Sequence, residues 1–406
     1  MALYSAGAIS IAQNGTALSG SGTAWLSSGI ASGWFIPLGA PAQWYQVQSV
    51  NSDISITLAT NYEGATLSGV SYVASDTVNS NVSGTNVVFY PSWSGAASRT
   101  ASDKLADLVS VKDAGAKGDT IVFTGACSIT SGAAALAVTG ASFTAKDVNK
   151  AIIVPGAGAS GGYLVTTISG YTDATHITLG ANASTTLSAS SQTITYGTDD
   201  TTAFQSAITQ AVATGAPCFI PGANYYLSGS LNETNSAASA LPNFFCTLWG
   251  AGGRGANLLF APGNYNGIVI TGSSTSTAAE SMILVQGLGL YKSDRQGAGL
   301  YLAAHAHINV KDVFAQGWNL GCWGFDIQES VFENVVCVYN NGGAQFQKNT
   351  FTQPNALLLL NCTFGLNYNF GLDVQNPSAF KMVGGSIESN GQAGGNTGTT
   401  ANSIWG

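Results

Sequence analysis

Between residues 283 and 385 one short pattern recurs, an apolar run that stops on Gly, Asp or Asn. Its versions are Ile283-Leu284-Val285-Gln286-Gly287, Ile308-Asn309-Val310-Lys311-Asp312, Val331-Phe332-Glu333-Asn334, Leu358-Leu359-Leu360-Asn361 and Lys381-Met382-Val383-Gly384. Anchored on Gly287, Asp312, Asn334, Asn361 and Gly384, the steps are 25, 22, 27 and 23 residues. Secondary strands lie between them, at Gly299-Leu300-Tyr301-Leu302, Gly324-Phe325-Asp326-Ile327 and Gly371-Leu372-Asp373-Val374. A period of about 20–30 residues with short strands and Gly/Asn bends specifies a solenoid, in which inward apolar side chains stack coil upon coil.

Upstream sits a motif cut in two. Val109-Ser110-Val111-Lys112-Asp113-Ala114-Gly115-Ala116-Lys117-Gly118-Asp119 is a strand running into a Gly-rich turn; Gly197-Thr198-Asp199-Asp200-Thr201 resumes it as a helix start. Thr198, Asp199 or Asp200 is placed to cap the free amides of the first helical turn. Ala203, Phe204, Ala207, Ile208, Ala211 and Val212 follow at helical spacing, and Gly215 stands where a helix stops. The two halves together resemble the opening of pectate-lyase-like right-handed β-helix proteins, above all bacteriophage tailspikes. There the pattern is Val-Lys-Asp-Phe-Gly-Ala-x-Gly-Asp-Gly-x-x-Asp-Asp-Thr, followed by a helix that closes the open end of the β-helix. This chain departs from it in carrying Ala114 for the Phe and residues 120–196 as an insertion. The resemblance implies a mostly β fold with a right-handed parallel β-helix trunk. It assigns Asp113, Gly115, Gly118, Asp119, Asp199 and Asp200 to turns and caps.

Residues 1–75 alternate apolar and polar positions with Gly/Ser breaks, which specifies a small antiparallel β domain. Gly20-Ser21-Gly22-Thr23-Ala24-Trp25 is similar to an opening found in N-terminal modules of phage tail fibres. The insertion carries matching landmarks. Trp25, Trp44-Tyr45-Gln46-Val47, Val50, Asp53, Ile56-Thr57-Leu58, Leu67-Ser68 and Tyr72 answer to Phe143, Gly162-Tyr163-Leu164-Val165, Ile168, Asp173, Ile177-Thr178-Leu179, Leu187-Ser188 and Tyr196. Residues 120–196 therefore read as a second, related β domain. Residues 76–108 read as a linker and a short neck helix, residues 109–119 as the start of the β-helix, and residues 197–406 as capping helix and trunk. Ser403-Ile404-Trp405-Gly406 looks like another strand beginning, so a continuation or a partner is expected at that end.

Composition narrows the partners. Net charge is −8, with 12 Lys+Arg against 20 Asp+Glu, which argues against a nucleic-acid or anionic-membrane footprint. No apolar run reaches the ~18 residues of a membrane span, and the N-terminus lacks the pattern of a signal peptide. The cysteines show no paired metal spacing, so no metal and no cofactor is expected; they read as buried small hydrophobes, with a disulfide between Cys337 and Cys362 a minor alternative. Gly250-x-Gly252-x-x-Gly255 has the spacing of a dinucleotide loop, but Ala256-Asn257-Leu258-Leu259-Phe260 does not read as a helix, and a turn between strands fits better.

Glycan cleavage by a hydrolase needs two carboxylates about 5–9.5 Å apart across one sugar bond. Asp326, Glu329, Glu333 and Asp312 are the catalytic candidates, and Trp318, Trp323 and Tyr301 supply rings for a sugar to stack on. Each carboxylate has a plainer reading as a bend cap or a solvated charge. A lyase would use Lys311, Arg295 or Lys292. His305 and His307 alternate across Ala306 and would share a face on a strand, with a structural role favoured because no third ligand accompanies them. The resemblance implies a trimeric tailspike or fibre of the virion, assembled in the host cytoplasm. It would attach to a phage tail or baseplate protein through its N-terminal domain and recognise host surface polysaccharide, with or without cleaving it. A non-catalytic tail component and a secreted polysaccharide lyase are the competing classes.

Overall fold

A computed structural model describes residues 3–39, 43–76, 88–89, 99–234, 246–252, 255–272, 283–350 and 352–391. The linker's greater part and the last residues, including Ser403–Gly406, lie outside this set. The chain divides into two units, Met1–Ala106 and Asp107–Gly406, each with its own core.

The second unit contains a parallel β-helix of three sheets. The first sheet stacks Val109–Ser110, Cys218–Ile220, Cys246–Gly250, Ile283–Gln286, Ile308–Lys311, Val331–Glu333, Leu357–Leu360 and Phe380–Val383. The second runs from Ala223–Leu227 to Ser386–Glu388 and the third from Leu231–Thr234 to Phe370–Val374. Register is carried coil to coil by identical faces: Val285, Val310, Phe332 and Leu359 are in line and buried. The five repeat anchors have φ of 72°, 53°, 54°, 51° and 70°. Each is the residue where the chain leaves the first sheet for the second, a corner that demands the left-handed conformation. Gly adopts it freely, and Asn or Asp at least cost among the rest.

At the next corner, the trunk builds a buried amide ladder. Asn367 donates its backbone amide to Asn390 Oδ1 at 3.0 Å, Asn340 does the same to Asn367 Oδ1 at 3.0 Å, and Trp318 to Asn340 Oδ1 at 2.9 Å. The Asn side chains return bonds to the carbonyls of Ala315, Cys337 and Phe364. Trp318 thus takes the position that Asn holds in later coils. It is fully buried, with Nε1 donating to the Leu290 carbonyl, so its ring belongs to the core and not to a sugar-binding surface as the sequence suggested.

The helix Thr201–Thr214 covers the first coil with Phe204, Ala207, Ile208 and Ala211, and ends on Gly215 at φ 70°. The split motif is tied across itself. Asp200, at the helix N-cap position, caps nothing in its own helix; its carboxylate accepts the amides of Lys117 and Gly118 at 2.6 and 2.9 Å. Asp119 returns the bond, accepting the Thr198 amide at 2.8 Å and its hydroxyl at 3.0 Å. The first-turn amide, on Thr201, goes to Asp199 at 3.1 Å. Gly115 and Gly118 take φ of 101° and 59° in the turn, and Asp113 donates its amide to the Ser110 carbonyl there.

The insertion is a closed barrel. Its strands Ile121–Ile129, Ala135–Val138, His176–Leu179, Leu164–Asp173, Ala151–Val154 and Leu187–Gly197 pair in that order, the last closing on the first. The first unit uses the same antiparallel plan with Ala8–Ile11, Ala17–Ser21, Ser55–Leu58, Gln43–Ser52, Phe35–Leu38 and then a final strand in two pieces, Leu67–Val70 and Ala74–Ser75. Trp25 and Phe143 are equivalent: each donates its amide to the carbonyl of the turn before the next strand, Asp53 or Ala174. Leu58 and Leu179, and Leu67 and Leu187, also correspond. The sequence alignment slips in the long strand, where Val47 is equivalent to Ile168 and not to Val165. The cause is the preceding hairpin, which is longer in the barrel.

The barrel is fastened to the trunk by Lys150, whose ammonium lies 2.9 Å from both Asp119 and Asp147. Burial pushes both carboxyls up, but the amides, hydroxyls and ammonium they accept from outweigh it and leave them below the ordinary carboxylate range. The Lys150 ammonium is held above its usual value by the same pair, against its own burial.

Two outcomes are expected. Asp200→Ala should cost about 2 kcal/mol in urea unfolding, since two part-buried amides lose the buried carboxylate that accepts from them. The stabilisation that Lys150→Met removes should be constant from about pH 5 to about pH 9. It should fade below about pH 4 as the depressed carboxyls protonate, and above about pH 10 as the lysine loses its proton. Melting curves of both proteins across pH check it.

Candidate functional site

Along the third sheet, alternation sends Leu300 and Leu302 inward and Tyr301 and Ala303 outward. Coil register then lines Tyr301, Trp323, Gln345 and Asp373 in one outward column, with Ala303, Phe325 and Gln347 in the next. The rings meet: Tyr301 and Trp323 centroids are 5.6 Å apart edge to face, Trp323 and Phe325 4.6 Å, Tyr301 and Phe325 5.6 Å. Below them Asp373 Oδ2 accepts the side-chain amides of Gln345 and Gln375, each at 2.8 Å. Trp323 Nε1 is buried and has no hydrogen-bond partner among the described residues. Burial, and then the nearby Asp326 carboxylate, push the Tyr301 hydroxyl above its usual range. Tyr301 and Trp323 are partly exposed and Phe325 is buried against them, so the strip offers two aromatic rings edged by amides and one carboxylate, the combination that holds a ring with an apolar face and a polar rim.

The candidate carboxylates have separate partners. Asp326 is 4% exposed at a left-handed bend, φ 49°, and accepts the amides of Asn349, Thr350 and Thr352 at 2.8, 3.0 and 3.2 Å. It shapes the loop after the strand Gly342–Gln347. Glu329, at φ 46°, bonds His307 Nε2 at 2.7 Å on the surface. Glu333 faces Lys311 in register on the first sheet, at 3.0 and 3.1 Å. Asp312, at its corner, accepts the side-chain amide of Asn334 at 2.9 Å. Of the predicted sugar-binding rings, Tyr301 and Trp323 adjoin and Trp318 does not join them. His305 and His307 fall at a corner and not on one strand face: His305 is fully buried, its imidazole lowered to about 4 by burial, while His307 reaches the surface. Cys337 and Cys362 are free and buried. No cluster of metal-binding side chains occurs among the described residues. The segment after Gly250 turns by a Gly255-to-Gly252 backbone bond into the strand Ala256–Phe260, so the glycines serve a turn.

One site escaped the sequence. Between barrel and trunk lies a cleft of about 530 Å³, with Ile153, Tyr163, Gln192 and Thr195 on one wall and Phe260, Tyr291, Lys292 and Gln316 on the other. Tyr163 donates its hydroxyl to the Ser293 carbonyl at 2.7 Å across it. The Lys292 ammonium is buried, donates to the carbonyls of Gly263, Tyr265 and Gln296, and lies 3.9 Å above the Tyr265 ring. Burial lowers its pKa, opposed by Asp294 at 3.7 Å. These walls are about 100 residues apart in sequence, and only the docking of the barrel brings them together.

No family model and no curated protein matches the chain. Among solved structures it is similar to ORF18 of Geobacillus virus E2, at 18% identity and TM-score 0.36, over 48% of this chain and 38% of that one. It is similar to the mannuronan C-5 epimerase AlgE6 A-module of Azotobacter vinelandii at 14% identity and TM-score 0.32, over 48% and 74% of the two chains. The catalytic unit of a GH87 alpha-1,3-glucanase from Streptomyces thermodiastaticus gives 14% identity and TM-score 0.30, over 75% and 65%. The chain thus spans well under half the length of the viral protein, and TM-scores this low assign it no activity.

Asp326→Ala should release the loop around Asn349–Thr352, costing about 3 kcal/mol and opening it to limited proteolysis. Asp326→Asn, which keeps an acceptor in place, should retain more than half of the protection.

Proposed function

We propose that this chain is a phage tailspike or tail-fibre protein whose right-handed β-helix trunk binds host surface polysaccharide along the outer face of its third sheet. The observation that carries the reading is the aromatic strip of Tyr301, Trp323 and Phe325 beside Asp373, Gln345 and Gln375. A ladder of side chains repeated from coil to coil suits a long polymer lying along it better than a small molecule in a closed pocket. The capping helix and split motif support the tailspike class by their resemblance. In this reading the N-terminal domain docks on a phage tail or baseplate protein and the chain assembles as a homotrimer within the virion.

Binding without cleavage is the reading the carboxylates favour, because Asp326, Glu329, Glu333 and Asp312 each serve a local partner. Cleavage is the second reading, favoured by the exposed Glu329–His307 contact at 2.7 Å, which places a carboxylate and an imidazole together on the corner that leads from the third sheet back to the first.

Purified capsule or lipopolysaccharide from candidate hosts separates the two. Saturable binding with no new reducing ends or unsaturated sugars is expected. Trp323→Ala should weaken that binding about tenfold, the equivalent of about 1.4 kcal/mol. Cleavage that disappears in Glu329→Gln would establish the enzymatic reading instead, and binding unchanged in both Trp323→Ala and Tyr301→Ala would remove the strip from the function.

A further inference from the structure

The hydrogen bonds at the foot of the strip fix which atoms it offers to a ligand. Tyr301, Trp323, Gln345 and Asp373 stand in register on successive coils, about 4.8 Å apart. An ionised carboxylate only accepts, so the bonds to Asp373 Oδ2 orient the two side-chain amides that make them. Gln345 and Gln375 each turn their nitrogen toward Asp373, at 2.8 Å, and their Oε1 atoms away from it. The second carboxylate oxygen, Oδ1, has no hydrogen-bond partner among the described residues, and neither Oε1 has one. These acceptor oxygens are left for a ligand that extends past Trp323. Each amide keeps one hydrogen of its own, a neutral donor beside a full negative charge.

No cation answers that charge. Asp373 is partly exposed and forms no ion pair among the described residues; Lys348, just past the end of the strand Gly342–Gln347, is not within ion-pair distance of it. The other end of the strip is also negative. Asp326 follows Phe325 directly and is 4% exposed, and after burial it is the cause that raises the Tyr301 hydroxyl, so its field reaches the first ring of the column. On the corner beyond, Glu329 is held by His307.

We propose that Asp373, set against Gln345 and Gln375, makes the strip select an uncharged polysaccharide, whose sugar hydroxyls donate to Asp373 Oδ1 and to the two amide oxygens. A uronate, sulfate or phosphate at that place would bring a second negative charge against Asp373 with no cation between them, and its oxygens would meet acceptors instead of donors. Two like charges about 4 Å apart repel enough, even beside water, to weaken binding about tenfold. Asp373 is then a specificity-determining residue, while the rings of Tyr301 and Trp323 supply affinity that does not depend on the charge of the sugar. This selection presupposes that the third sheet binds glycan, and adds which glycan it takes.

Acidic capsules of candidate hosts are offered to the full chain in native form and after chemical reduction of their uronic carboxyls to primary alcohols, which leaves the same backbone uncharged. Calorimetric titration at low salt should give binding about tenfold tighter for the reduced polymer. Asp373→Asn, which removes the charge and keeps a carbonyl acceptor, should bring the two polymers within about threefold of each other. Trp323→Ala should weaken both alike and preserve their ratio. Salt at about 0.5 M should shrink the preference of the unaltered chain, because the carboxylate is partly exposed. An acidic polymer bound as tightly as its reduced form, a preference that salt does not touch, or a ratio that survives Asp373→Asn overturns the charge selection; if Trp323→Ala still weakens binding, the glycan-binding reading stands without it. No saturable binding of either polymer, or binding indifferent to Trp323→Ala, removes the strip and the selection together.

Discussion

The architecture of the second unit depends on a reciprocal clasp between two carboxylates. Asp200 holds the amides of Lys117 and Gly118, and Asp119 holds the amide and hydroxyl of Thr198, so the two halves of one turn are joined although residues 120–196 separate them in sequence. Burial pushes Asp200 upward, and its two amide bonds work against that; its neighbour Asp119 pushes the same way as burial. The two carboxylates repel each other, so the clasp is held by the amides and hydroxyl they accept from, with Lys150 on Asp119 in support. Because the ends of the insertion are pinned side by side, a whole domain can be added there at little entropic cost to the trunk beyond closing one loop. The same seam orients the barrel, through Lys150 on Asp119, and starts the β-helix, through the bridge of Asp119 to Asn224 and of Asp199 to Tyr226.

From that seam the trunk is a repetition of corners. The αL corner at Gly287, Asp312, Asn334, Asn361 and Gly384 was legible because few residue types tolerate it, and they recur at the same step from the same kind of strand. The Asn340–Asn367–Asn390 ladder was less legible: its upper position is filled by Trp318, which satisfies the same backbone bond with its amide and has no sequence likeness to asparagine. For this reason a tryptophan that looks like a sugar platform is a core residue. Alternation on the strand Leu320–Phe325 separates the two cases, since Trp323 is an outward position in line with Tyr301.

The twin domains were visible through residues with one structural job, Trp25 and Phe143 or Leu58 and Leu179, and became misaligned where the hairpin lengths differ. Carboxylate roles were the least legible. Asp326 and Glu329 share left-handed corners that Asp and Glu occupy only when the fold requires it, and no local pattern distinguishes such a corner from a catalytic acid. The barrel–trunk cleft had no sequence signature, because its walls come from segments that meet only through docking.

The measurement that bears most directly on this account is hydrogen exchange at the clasp. If Asp119 and Asp200 organise the unit, the amides of Lys117, Gly118 and Thr198 should exchange only through the same opening that exposes the first trunk strands, Cys218–Ile220 and Ala223–Leu227. Their protection should then fall in step with that of those strands as denaturant is added. Clasp amides that exchange freely while the strands stay protected would show that the trunk and barrel hold together without the seam, and would contradict the account.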